Sequence, residues 1–352
     1  MGIFSRKVQS AEFGSAPVKA AAGVSGIRTF IGYSVTTAEL QALANPTISR
    51  SHDLIASMLG ALEFRHYTRQ WTGERYEKIY VANESWMDRP DPNVTRNFFL
   101  ANIFTDLYLY GIAVAYVTTR YSTGFPASMT WLPRGSCEFP DQSGPQYFGQ
   151  PTEVLFNGQQ LNRNDVIVFL SPIMGLLYTG GRAINIATHL DQAADRYASL
   201  ETVPGYLQQR GGETMSGEEL GDLASAWASA RKTNAIGALN DYVEFKEFNT
   251  DPMEMIADQR KYQALELSRI ASVPPYLLGI DVGSYAYQTP EQARKDLYLF
   301  GARPYLDCIQ ETLSMDNVLP RGRFVEFDVD RWLGEGDMSE TLIEPPVEEA
   351  AS

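Results

Sequence analysis

Apolar residues recur at helical spacing through Leu40, Leu43, Ile48, Leu54, Ile55, Met58, Leu59 and Leu62, and Asn45-Pro46 interrupts them. This pattern predicts a helix over 47–62. Tyr76, Ile79 and Val81 give the stretch 71–83 the reading of a strand, and Pro90 and Pro92, with Asp88 and Asp91, mark a turn. Helical spacing returns over 93–109 through Phe98, Phe99, Ile103, Phe104, Leu107 and Tyr108, with Asn93 or Thr95 as N-cap and Gly111 as the stop. Short β-branched or apolar runs at 112–119, 129–132, 154–156 and 166–170 predict strands, hence an α+β domain built on short antiparallel strands.

Beyond Thr179-Gly-Gly181 two longer helices are read. A helix is predicted from about 182 to 202, broken at Pro204-Gly205, and a second long helix from 251 to 271. Asp251 caps the second helix, Pro252 suits its first position and Glu254 completes the start signal; Val273-Pro274-Pro275 ends it. Between them lies a compact insert: strand 206–208, a helix over 216–231 carrying Leu220, Leu223 and Trp227, and strands around 236–239 and 242–248. Thr289-Pro-Glu-Gln292 repeats the start signal for a helix containing Pro304, where a kink is predicted, and 324–329 reads as a last strand. Residues 279–288, with two glycines and no apolar period, read as a surface loop. Residues up to about 26 show no sustained period and read as an arm that orders against a partner; 334–352 read as an acidic, mobile tail.

Composition narrows the function. The 352 residues, 44% hydrophobic and 20% charged, describe an ordered soluble protein, and the net charge of -14 argues against tight, static binding to a phosphate backbone. Cys137 and Cys308 match neither a zinc nor a disulfide framework, which fits a reducing compartment. The start lacks a secretory signal, and the longest apolar stretch, 108–117, is too short to span a bilayer. Candidate chemistry is thin. His52, His66 and His189 read as ordinary helix or surface residues, and no metalloprotease, Walker A or nucleophile-elbow motif is present. Ser229-Ala-Arg-Lys232 matches S-x-x-K without its companion motifs, leaving a hydrolase using Ser229 and Lys232 as a minor alternative. No catalytic, cofactor or metal site is assigned.

The order of the motifs resembles the HK97-like family of tailed-bacteriophage portal proteins, from about Asn45 to Leu333. The turn at Asp91-Pro92 leads to Asp106-Leu-Tyr-Leu-Tyr-Gly-Ile-Ala-Val-Ala-Tyr116, similar to the family's "LYGNAY" segment, and Trp131-Leu-Pro133-Arg134 is similar to its "PL.P". Asn164 to Phe169 and Gly180 to Ala183 stand for the "dviH" strand and "G.SP" turn, with Val168 in place of the histidine and without the Ser-Pro. The strongest piece is Ser268-Arg-Ile-Ala-Ser-Val-Pro-Pro-Tyr-Leu-Leu-Gly279, which resembles "IA..FGVPP.LLG" with Ser272 at the glycine. Glu291-Gln292, Arg303-Pro304, Ile309 and Phe324-Val-Glu-Phe-Asp328 follow in the family's order.

The resemblance implies an α+β portal fold. Its parts would be an N-terminal arm (1–40), a wing (41–183), stem helices (184–204 and 251–272), a small α/β clip (205–250), a kinked C-terminal helix and strand (289–333) and a reduced crown. It implies a dodecameric ring at one capsid vertex through which terminase pumps duplex DNA, later ejected into the tail. Implied partners are the terminase large subunit, a head–tail adaptor, the major capsid protein and scaffold, with weak, non-specific DNA contact and no membrane. Location would be the virion, after assembly in the host cytoplasm. An adaptor or capsid subunit is the main alternative, disfavoured by the helical pair flanking an insert. The tunnel loop would span 279–288, with Asp281, Val282, Gly283, Ser284, Tyr285, Ala286, Tyr287 and Gln288 facing DNA. Glu213, Glu218, Glu219 and Asp222 would dock clip partners; Ala187, Ala194, Ala198, Ala257 and Ala264 would allow close stem packing, between subunits or within one.

Overall fold

The computed structural model describes residues 36–142, 149–198, 205–212, 214–233, 242–247, 252–281 and 289–334. The arm before residue 36, the strand expected around 236–239 and the tail from 335 lie outside the described residues.

Helices α1 (Thr37–Ala44) and α2 (Pro46–Ala61) meet at Asn45, whose side chain accepts from the Thr47 N–H at 3.0 Å while Pro46 opens α2. Residues 37–40, expected in the arm, are therefore helix, and Leu40 and Ala42 are buried. Strand β1 (Phe64–Trp71) is an addition to the sequence reading: Phe64, His66 and Tyr67 are buried without clean alternation, and pairing with Arg323–Phe327 far along the chain makes it a strand. It is followed by β2 (Tyr76–Val81), the short α3 (Ser85–Asp88) and α4 (Arg96–Tyr110). The Thr95 side chain accepts from the Phe98 N–H at 3.2 Å, and Gly111, at φ +76°, ends α4.

Strands β3 (Ile112–Arg120), β4 (Pro126–Leu132), β5 (Cys137–Glu138), β6 (Leu155–Phe156), β7 (Gln159–Gln160) and β8 (Val166–Leu170) form two small antiparallel sheets, β4-β3-β8 and β5-β6-β7. The first sheet packs against α4, and α2 packs on α4. After α5 (Leu176–Thr179) come α6 (Gly181–Ala198), β9 (Gly205–Gln209), α7 (Gly217–Thr233), β10 (Val243–Glu247) and α8 (Pro252–Ile270). β9 and β10 form their own hairpin-like sheet, and Trp227 of α7 lies over Phe245, ring centroids 5.8 Å apart.

The chain then runs through α9 (Pro290–Asp296), a π-helical turn (Leu297–Ala302), α10 (Arg303–Leu313), β11 (Arg323–Phe327) and α11 (Val329–Leu333). At the kink predicted for Pro304, the Arg303 N–H reaches the Tyr298 carbonyl five residues back. Proline cannot donate to the Phe300 carbonyl, and the helix widens to absorb the loss. Strand β11 completes a fourth sheet, β11-β1-β2, and α10 packs on it and against β8. The core is continuous: Phe104 meets Tyr305 edge-on at 5.2 Å, Tyr108 lies tilted against both rings, and the Ser51 and Tyr108 hydroxyls share a hydrogen bond of 2.7 Å. Both cysteines are buried, and burial pushes each thiol up to about 12, so neither is a thiolate near neutral pH.

Candidate functional site

The two long helices α6 and α8 pack side by side and are tied at several levels. Arg260 pairs with Asp191 at 3.0 Å, and the Gln263 amide donates to the Ala183 carbonyl at 2.9 Å. Gln41 of α1 donates to Asn185 and Thr188, each at 3.0 Å, fixing α6 against the core domain. Of the alanines expected to pack, Ala187 is buried, Ala194 and Ala264 are half-buried, and Ala198 and Ala257 are exposed. Ala187, Ala257 and Ala264 line one groove of about 580 Å³ with Asn45, Leu190 and Ile280. Small side chains therefore leave open space between the helices and the start of α2.

The lower end of α8 sets up the loop that follows. The Ser272 N–H donates to the Arg269 carbonyl (3.1 Å) and the Val273 N–H to the Ser268 carbonyl (3.2 Å), with Ser272 at φ +54°. This is the paired reverse bonding of a helix C-terminus, and it requires the left-handed conformation that glycine adopts most easily. Val273 is buried, Pro275–Leu278 makes one 3-10 turn, and Gly279 at φ +75° turns the chain out to Asp281, which is exposed. On the far side, the Thr289 side chain accepts from the Gln292 N–H (3.3 Å) to cap α9. The Tyr276 hydroxyl donates to Asp296 at 2.9 Å, and the Gln292 amide to the same carboxylate at 2.7 Å. The segments that flank the loop are thus bonded to each other through the Tyr276 hydroxyl and the Asp296 carboxylate. Val282, Gly283, Ser284, Tyr285, Ala286, Tyr287 and Gln288 themselves lie outside the described residues.

In the insert, Glu218, Glu219 and Asp222 are exposed on the first turns of α7, and Glu213 lies outside the described residues. Glu219 has a local duty. Its carboxylate accepts from the Ser216 N–H at 2.8 Å while the Ser216 hydroxyl accepts from the Glu219 N–H at 3.3 Å, a capping box that also draws its carboxyl below the usual range. Ser229 is exposed on the same helix. Among the described residues, no three potential metal-ligating side chains converge, and no helix is long and apolar enough to cross a membrane.

A buried polar cluster went unrecognised in the sequence. Asp106, on apolar α4, accepts from the Trp131 indole N–H at 2.7 Å and from the Arg134 N–H at 3.2 Å. The Arg134 guanidinium lies over Phe139 and Tyr110, and the Tyr110 hydroxyl donates to Glu39 at 3.1 Å. The two motifs around Asp106 and Trp131 therefore exist as one contact. Burial, with Glu39 adding repulsion, raises the Asp106 carboxyl well above its ordinary value, although the Trp131 bond opposes this. An aspartate within the mostly apolar half of α4, residues 103–110, was the available signal.

The family model for phage portal proteins matches residues 46–342. The fold is similar to the crystal structure of an HK97 family phage portal protein from Corynebacterium diphtheriae, with TM-score 0.66 and 18% identity over 83% of this chain and 95% of that one. It is also similar to a chain in the neck of a native GTA particle computed with C12 symmetry, with TM-score 0.58 and 17% identity over 83% and 82% of the two chains. A chain in the virion of a native gene transfer agent particle matches with TM-score 0.58 and 16% identity over 88% and 90%. Among curated proteins nothing matches.

Proposed function

The chain belongs to the phage portal protein family and is a portal connector, and from that premise we propose how its parts divide the work. The core domain of residues 41–183, with 289–333, is the wing; α6 and α8, within 184–204 and 251–272, are the stem; 205–250 is the clip, and 279–288 the tunnel loop at the constriction. Twelve copies form a ring at one capsid vertex, in keeping with the twelvefold neck of the structural relative. Duplex DNA enters through the ring under terminase and leaves through it to the tail. Ring assembly takes place in the host cytoplasm, with scaffold and the major capsid protein.

The observation that carries this reading is the framed loop. Two long helices joined by Arg260–Asp191 and Gln263–Ala183 lead to Asp281 on one side, Thr289 caps α9 on the other, and the Tyr276–Asp296 bond ties the two flanking segments together. A chain of net charge -14 provides few deep wells for sliding phosphates. Exposed Ala198 and Ala257 leave room on the stem for a neighbouring subunit, and exposed Glu218 and Asp222 on α7 suit basic surfaces of terminase and the adaptor. The reading assigns the chain no reaction. Negative-stain electron microscopy of the purified full chain tests it: a turbine-shaped ring with a central hole is the expected particle, and a uniform population of monomers would overturn it.

A further inference from the structure

The hairpin of β1 and β2 reaches beyond its sheet. β11 pairs with β1 only over Phe64–Thr68, whereas β2 pairs with β1 out to Trp71↔Tyr76. The distal part, 69–71 and 76–78, is therefore a two-stranded ribbon exposed on both faces, and among the described residues no strand pairs with the outer edge of β2. Such a ribbon is marginally stable alone. Yet it carries large exposed side chains: Trp71 and Tyr76 at its tip are 53% and 69% exposed, and Ile79 and Tyr80 behind them are 44% and 51% exposed. Trp71 and Tyr76 already pack edge to face at 5.0 Å, and a tight turn with Gly73 at φ +102° and a Thr72 N–H to Arg75 carbonyl bond (2.9 Å) fixes them.

Charge sets the hairpin apart as well. Residues 64–81 carry Arg65, Arg69, Arg75 and Lys78 against Glu74 and Glu77, a net +2 in a chain of -14, so the remaining residues carry -16. Arg69 and Lys78 face each other directly across the ribbon, an unfavourable pairing. Lys78 meets Glu326, while Arg69 lies over the Phe324 ring at 4.3 Å.

We propose that the tip of the β1–β2 hairpin is an arm that grips the next copy of this chain in the ring, with Trp71 and Tyr76 as anchors and Arg69 and Lys78 facing the acidic surface of that neighbour. The inference rests on the portal reading. A ring is built from head-to-tail contacts, so each subunit must present two different, complementary surfaces. A positive aromatic arm on a strongly negative body meets that requirement. Duplex DNA would also attract the cations, but its exterior offers no apolar recess for a projecting aromatic pair.

The test uses purified full chain without any other protein, with and without added duplex DNA. With the photoreactive substitution Tyr76→p-benzoylphenylalanine, irradiated rings give a ladder of chain-to-chain products. The double variant Trp71→Ser, Tyr76→Ser keeps the far-ultraviolet circular dichroism of the parent but needs at least roughly tenfold more protein to form rings, as expected when two interface anchors are truncated. Rings that form at the parental concentration in the double variant overturn the proposal. So do photoproducts confined to the chain's own residues, such as 1–35, or to added duplex DNA. A parental chain that forms no ring at all overturns the portal reading itself, and the contact with it.

Discussion

Ser272 occupies a left-handed backbone position, φ +54°, at the point where α8 must stop so that Val273 can enter the core and the prolines can turn the chain toward the loop. A side chain in that region costs about 1 kcal/mol relative to glycine. Ser272→Gly is therefore expected to raise stability by about 1 kcal/mol, read as a higher urea or thermal unfolding midpoint, while Ser272→Val lowers it. Asp106 gives a pH dependence. Its folded-state carboxyl is raised, chiefly by burial, above the unfolded value of about 4. Folding thus takes up a proton in the window between the two values: this contribution is most favourable below about pH 4 and declines as pH rises toward the folded value. Asp106→Asn, whose amide oxygen still accepts from Trp131 and Arg134, is expected to lose less stability than the parent between pH 4.5 and 7.5 in urea titrations. An equal or steeper decline in the variant would refute that assignment. The aspartate was visible in the sequence, but its partners, 25 and 28 residues away, were not joined to it by any spacing rule.

At the level of elements, local chemistry was the readable part. Thr95 and Thr289 cap their helices through side-chain bonds, Gly111 stops α4, and the double proline after Val273 ends α8, each for reasons contained in a few neighbouring residues. β1 was unreadable because a strand of mixed polarity is stabilised by partners: Phe64 opposes Phe327, some 260 residues away, and their rings stack at 4.6 Å. The join between α4 and the segment after β8 is equally non-local. A Cβ on Gly175 would lie 2.4 Å from the Tyr110 carbonyl carbon and 2.5 Å from the Leu109 oxygen, both backbone atoms that have nowhere to move. Gly175→Ala is accordingly expected to cost about 1–3 kcal/mol, the range for overpacking a fixed site, and the unfolding midpoint should fall to match. Gly181→Ala, where a Cβ meets open space, serves as the control.

Across the whole molecule, the functional reading places the loop at the centre of a ring and the rigid parts around it. Because Asp281 and Thr289 are held by α8, α9 and the Tyr276–Asp296 bond, deleting residues 283–286 is expected to leave unfolding and ring assembly unchanged while reducing DNA packaging and retention in assembled particles. Wild-type levels of both in the deletion would remove the loop from the channel. The sequence by itself determined the order of most helices and strands other than β1, many of the stops and starts between them, the insert between two long helices and the surplus of acid that favours transient over static DNA contact. All of these depend on neighbours in the chain or on simple sums over it. Only the tertiary structure decided that residues 37–40 join the core domain, that Asp106 meets Trp131, and that a cationic aromatic hairpin extends past its sheet. Those facts depend on which distant surfaces meet and which are left uncovered, and pairing over long sequence separations is set by packing of the whole fold, not by any local pattern.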